Sequence, residues 1–323
     1  MILSVSRRTD IPAWYADWFF ARLHAGYADV RNPYRPGQVS RVPMTPDMVD
    51  GIVFWTKNPL PMLSRLGELG HFSYYFQFTL TPYGSELEPG LPSKEEVLIP
   101  ALKRLSSLAG KNRVVWRYDP VVLTREWTMD RHRFCFQRMA QALEGATDEC
   151  IVSFVDDYAC NRRRMRQAGG FAPDESNARE LLCCFGEAAK KHGMKLSVCC
   201  EPALVEGMQS VGGVGSAHCI DVDRLSRIAD RPIYIPPDPH QREGCGCAKS
   251  VDIGAYDTCR NGCIYCYALH SAGQLAQRVE RYTADSSLLC DRLLESDRVT
   301  ACDAGKPGGQ MSLFGPSTDF PIS

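Results

Sequence analysis

Three cysteines, Cys259, Cys263 and Cys266, stand in a C-x3-C-x2-C arrangement inside the segment CGCAKSVDIGAYDTCRNGCIYCY that covers residues 245–267. Three thiolates on one short loop can hold three irons of a cubane and leave the fourth open to a small molecule, whereas an all-cysteine cluster uses four. The alternative is zinc, because closely spaced cysteines also build four-thiolate zinc sites. A zinc ribbon predicts two balanced pairs, and here one pair, Cys245 and Cys247, precedes one triplet.

Further thiols accompany them. Cys199 and Cys200 fall at the end of an expected strand, and Cys219 precedes Asp221, a candidate helix cap. Cys200, Cys219, Cys245 and Cys247 together would supply four thiolates. Such a cage suits either a second, fully ligated [4Fe-4S] cluster acting as an electron relay or a structural zinc, and thiolate chemistry alone does not separate the two. Cys135, Cys150, Cys183 and Cys184 lie inside helical or strand patterns and read as small core hydrophobes.

The composition fits metal-serving thiols. A chain of 323 residues can bury a large core without staples, so its fifteen cysteines are not needed for stability. An odd count with no secretory leader points to reduced thiols in the cytoplasm. The Ser6-Arg7-Arg8 start lacks the apolar run of a twin-arginine signal, and no stretch approaches a membrane span. A net charge of −1 and a pI near 6.7 give no global attraction to nucleic acid. A local basic face is still open, and Arg162, Arg163, Arg164 and Arg166 form one candidate phosphate-binding patch.

The elements that must position these groups alternate. Apolar strand signals at 2–5, 52–55, 74–80, 113–116, 151–155 and 195–198 are separated by helical patterns near 11–23, 93–110, 134–143 and 176–191. Asp10 suits an N-cap, Asn58 can cap a helix begun by Pro59, and Ser93 with Glu96 reads as a capping box. Two further helices are expected near 274–281 and 287–294, while the Pro-rich piece around 31–41 reads as irregular. Such alternation predicts an α/β fold with a parallel sheet, as a complete or partial TIM-like (β/α) barrel. The expected organisation is a barrel body over 1–244, a cysteine-rich loop with closing helices over 245–300, and a flexible tail over 301–323. Catalytic groups of a barrel gather where strands end. This chain places Arg7, Arg8, Asp10, Lys57, Asn58, Arg117, Tyr118, Asp119, Asp156 and Glu201 there.

The triplet, with Tyr265 before its last cysteine, resembles the cluster loop of the radical S-adenosylmethionine superfamily. That resemblance implies a [4Fe-4S] cluster on Cys259, Cys263 and Cys266, with Tyr265 beside the cofactor and the open iron taking the amino and carboxylate groups of S-adenosylmethionine. One electron from an external donor would then cleave the sulfonium to give a 5′-deoxyadenosyl radical. Usual members carry the loop after the first strand, so its position here implies a circular permutation. No Gly-Gly-Glu segment is present to hold the amino group, and Arg7, Asn58 and Glu201 are replacement candidates. From SRRTDIPA and FWTKNP to CIYCYA, the whole chain also resembles a bacterial family of uncharacterised function with a C-terminal cluster of this kind.

The expected function is hydrogen abstraction from nucleic acid, as in repair or base modification. A small metabolite or peptide is the alternative substrate, and a zinc-stabilised scaffold the non-enzymatic one. Gln310, Met311, Ser312, Leu313 and Phe314 resemble the short peptide that docks on the DNA sliding clamp, following a Gly- and Pro-rich tether.

Overall fold

In the computed structural model, which describes residues 1–206, 208, 213–242 and 244–302, the apolar run Ile2–Val5 forms β1 with every side chain buried. The other strands are β2 (Tyr27–Arg31), β3 (Gln38–Pro43), β4 (Gly51–Thr56), β5 (Tyr74–Thr79), β6 (Val114–Val121), β7 (Glu149–Phe154), β8 (Lys195–Cys199), β9 (Val214–Ala217), β10 (Ser250–Asp252) and β11 (Arg298–Ala301). Eight of them build one parallel sheet in the order β10-β1-β4-β5-β6-β7-β8-β9. The late strand β10 pairs with β1, Ile2 opposite Ser250 and Ser4 opposite Asp252, so the cysteine segment returns to the start of the chain.

Strand periodicity explains the two cores. Leu3, Val5, Ile52, Phe54, Phe76, Trp116 and Val152 belong to the larger core, with the helices. Their strand neighbours Ile2, Val53, Tyr75, Val115 and Ile151 face the other way and form a smaller core with Ile220 and Leu225. Both faces of a parallel sheet are thereby buried, as its near-continuous apolar strands require.

The crossover helices start where the sequence caps them. Asp10 accepts from Ala13 N, Ser93 from Glu96 N, Thr128 from Arg131 N, Asp174 from Asn177 N and Asp221 from Arg224 N. Asn58 accepts from Leu60 N and opens a 3-10 helix over Leu60–Leu69. The expected 11–23 helix is two, Ile11–Trp14 and Ala16–Ala25, broken at Tyr15, whose hydroxyl donates to Thr258 O.

Three expectations are corrected. The Pro-rich piece is irregular only over 32–37, because its flanks belong to β2 and β3, an antiparallel pair that β11 extends as a second sheet. Residues 287–294 form no helix: Asp29 N donates to Ser287 O and Leu288 bridges Asp29, so this backbone is spent along the edge of β2. β9 was also unforeseen, its GSA sequence being too small and polar to read as a buried strand.

The edge strands β9 and β10 do not pair with each other among the described residues. Their flanking segments meet instead, Ala248 N donating to Ile220 O at 3.1 Å. Among the described residues no helix is long and apolar enough to cross a membrane. Residues 303–323, with the Gln310 to Phe314 motif and most of the expected tail, lie outside the described residues.

Candidate metal centre

Parallel strands end on one side, and in this protein those ends surround a cavity of about 1530 Å³. Arg7 and Asp10 reach it after β1, Lys57 after β4, Arg117 and Asp119 from β6, and Asp156 after β7. Cys259, Cys263 and Cys266 line it, and so do Cys199, Cys200, Cys219, Cys245 and Cys247. Tyr265 lines it as well. Asn58, Tyr118 and Glu201 do not. The Asn58 side chain is spent in the turn before the 3-10 helix, accepting from Leu60 N, and the Tyr118 hydroxyl is turned into the core against His132 Nδ1 at 2.8 Å.

The triplet loop is clamped from several sides. Asp10 accepts from Thr56 Oγ1 and Lys57 N at 2.7 Å and from Asn261 Nδ2 at 3.0 Å, tying the ends of β1 and β4 to the loop. Burial raises the Asp10 pKa even against these donors. Asn261 Oδ1 accepts from Trp14 Nε1 at 2.7 Å. On the far side Arg164 donates to three loop carbonyls, Ile264 O at 3.1 Å, Leu269 O at 2.9 Å and Cys266 O at 2.6 Å. Of the expected basic patch, Arg164 is a loop clamp, while Arg162, Arg163 and Arg166 are exposed, Arg162 beside an exposed Asp157.

Beside Cys263 lies a buried ionic group that no sequence signal announced. Glu88 accepts from Lys57 Nζ at 2.7 Å, from Thr81 Oγ1 at 2.9 Å, and from Lys94 and the Tyr265 hydroxyl. Burial opposes its charge, yet Lys57 and Lys94 outweigh burial and hold the carboxyl down at about 2. Burial pushes the Cys263 thiol up to about 12, with Lys57 pulling the other way. Cys259 and Cys266 are also raised, mainly by burial, so in the metal-free protein these thiols carry their protons and a metal must displace them.

Among the described residues no group of three or more His, Cys, Asp or Glu side chains is set to hold a metal ion as it stands. The donor set itself fits an open-iron cluster: three thiols from one loop facing one cavity, with Ala268 N donating to Cys266 Sγ at 3.3 Å. Amide hydrogen bonds to sulfur are among the features that tune such clusters.

The other thiols form a second group across the cavity. Cys199 Sγ lies 3.1 Å from Cys219 Sγ, and Cys219 N donates to Cys247 Sγ at 3.2 Å. Cys200 and Cys245 line the same cavity. All four sequence candidates are brought together, and Cys199 joins them as a fifth. Alternation along β8 turns Cys199 away from Val198, which packs in the larger core, and into the smaller core that also holds Cys219 and Cys247. The chain turns left-handed at Cys200, with φ of 56°, and both thiols reach the cavity. Arg7 belongs to this group too, its charge acting on Cys247 and then Cys219 rather than on the triplet.

A family model described as a domain of unknown function (DUF1848) matches residues 2–268. A search of curated proteins finds no match to the chain.

Proposed function

The chain belongs to the DUF1848 family, described only as a domain of unknown function, and we propose that it is a radical S-adenosylmethionine enzyme built on a permuted barrel-like sheet. Cys259, Cys263 and Cys266 would hold the [4Fe-4S] cluster. When bound, the cluster supplies the electron that cleaves the sulfonium and starts hydrogen abstraction. The observation that carries this reading is that one short loop opens all three thiols onto the cavity where the strand ends gather their charged groups.

This chain's own residues would do the positioning. Lys57 and Glu88 fix the Tyr265 ring by its hydroxyl, so the side chain between Cys263 and Cys266 has one orientation. Asp10 holds the loop through the Asn261 side chain, and Arg164 holds it by its backbone carbonyls. The cavity exceeds the roughly 300–1,000 Å³ of an ordinary ligand pocket, which leaves room for the cofactor and an organic substrate together. With Arg164 committed to the loop carbonyls, the basic run has one charge fewer for a phosphate backbone, and a small organic substrate is better supported than a nucleic acid.

The test is anaerobic reconstitution of the full chain with iron and sulfide, followed by reduction in the presence of S-adenosylmethionine. Wild-type protein should release 5′-deoxyadenosine, and Cys263→Ala should not. Equal release from both proteins would remove the triplet from the chemistry.

A further inference from the structure

The second thiol group has features that a packed apolar core does not need. Five cysteines from three parts of the chain converge: Cys199 at the end of β8 with Cys200 just after it, Cys219 after β9, and Cys245 and Cys247 before β10. The left-handed backbone at Cys200 is a conformation that a non-glycine residue adopts at a cost of about 1–3 kcal/mol. That cost is retained at the point that turns two adjacent thiols into one cavity. Cys247 Sγ accepts from the amides of Cys219 at 3.2 Å and Ile220 at 3.5 Å, as a ligating thiolate does.

The charges around the group point the same way. Arg117 Nη1 donates to Cys219 Sγ at 2.9 Å. The Arg7 and Arg117 guanidiniums both lie over the Trp55 ring, at 5.3 and 5.2 Å from its centroid. Arg7 Nη2 and Trp55 Nε1 are buried and have no hydrogen-bond partner. Buried donors of this kind are costly unless an acceptor meets them. Four thiolates around a divalent zinc ion, or around a cubane core carrying two positive charges, leave two negative charges for two arginines to offset.

We infer that Cys199, Cys200, Cys219, Cys245 and Cys247 supply four ligands to a second thiolate-bound metal centre, an iron-sulfur cubane or a zinc ion, with Arg7 and Arg117 neutralising its charge. The Arg7 and Trp55 donors then face the cluster sulfides or the ligating sulfurs. The centre does not depend on the triplet, because none of its ligands comes from residues 259–266.

Metal content of the full chain tests this. Wild type, a Cys259→Ala/Cys263→Ala/Cys266→Ala variant and a Cys245→Ser/Cys247→Ser variant are reconstituted anaerobically, once with iron and sulfide and once with zinc alone. Circular dichroism checks that each is folded. The triple variant should keep about four irons with matching sulfide, the nuclearity of a cubane, or about one zinc. The double variant should lose that amount. Arg117→Gln in the triple-variant background, which keeps every thiol, should weaken retention against a chelator by about tenfold. A folded triple variant that binds neither metal overturns the inference, and so does a double variant whose loading equals wild type. Loss of all metal from the double variant alone would sink the triplet reading and leave this one standing.

Discussion

Lys57 Nζ donates to the Tyr265 hydroxyl at 2.9 Å, joining residues 208 positions apart through a carboxylate, Glu88, that both of them contact. Glu88 is 1 % exposed, so the loop tyrosine is oriented by ions withdrawn from water. Removing one partner of such a group leaves unpaired buried charge.

Glu88→Gln should therefore destabilise the protein at neutral pH and blunt its response to acid. The folded-state pKa of about 2 lies below the ordinary value of 4.5, so the stabilisation is complete above that ordinary value and fades as pH falls toward 2. The shift corresponds to about 3 kcal/mol. Urea midpoints from pH 7 to pH 3 should show the gap between wild type and Glu88→Gln closing in acid. A constant gap would mean that the carboxylate charge contributes nothing.

His132 should govern a separate and milder acid window. Its Nε2 donates to Val122 O at 3.0 Å while Nδ1 accepts from Tyr118, and burial lowers its pKa to about 4 against the opposing Val122 bond. Protonation favours the unfolded chain, so stability should fall by about 3 kcal/mol between pH 6.5 and 4. His132→Phe should flatten that interval although it lowers stability at pH 7. Direct titration of the ring by NMR near 6.5 in the native state would refute the assignment.

Arg164→Ala should loosen the triplet loop without unfolding the sheet. Three carbonyls lose a charged donor, each bond worth about 1.5–3 kcal/mol before relaxation. Hydrogen exchange of amides 264–269 should accelerate at least about tenfold, while β4 to β7 keep their protection. Arg163→Ala, at an exposed position on the same helix, should change neither. Equal exchange in all three proteins would show that the clamp is decorative.

Gly90→Ala and Gly67→Ala make a controlled pair. A Cβ on Gly90 would meet Asn261 O at 2.6 Å and Arg260 O at 2.7 Å, both backbone atoms of the triplet loop, whereas one on Gly67 meets nothing within 4 Å. Gly90 N also donates to Asn261 O at 2.9 Å. The first substitution should cost about 1–3 kcal/mol and displace the loop. The second should be neutral or slightly stabilising, by up to about 1 kcal/mol. Thermal melts and metal retention of the two variants would separate loop displacement from a general glycine effect.

The apolar runs of β1, β4, β5, β6, β7 and β8 and the capping residues Asp10, Ser93 and Asp221 were legible because period and cap chemistry are local. So were the triplet and the gathering of charged groups at strand ends. Chain order alone determined that a parallel α/β arrangement would present those ends on one side. The tertiary structure decided the rest, since each remaining feature needs a partner far along the chain. β10 beside β1 brings Asp252 to Arg7 N at 2.8 Å and the cysteine segment to the strand ends. Glu88 has no local mark because its meaning is set by Lys57, Lys94 and Tyr265. Arg164 read as part of a candidate phosphate-binding patch, but three carbonyls a hundred residues away claim its donors. Cys199 had no assigned partner in the sequence, and Cys219, twenty residues on, meets it at 3.1 Å. Pattern reports what a residue does to its neighbours in sequence, and burial beside distant groups sets which charges and thiols are left to act together.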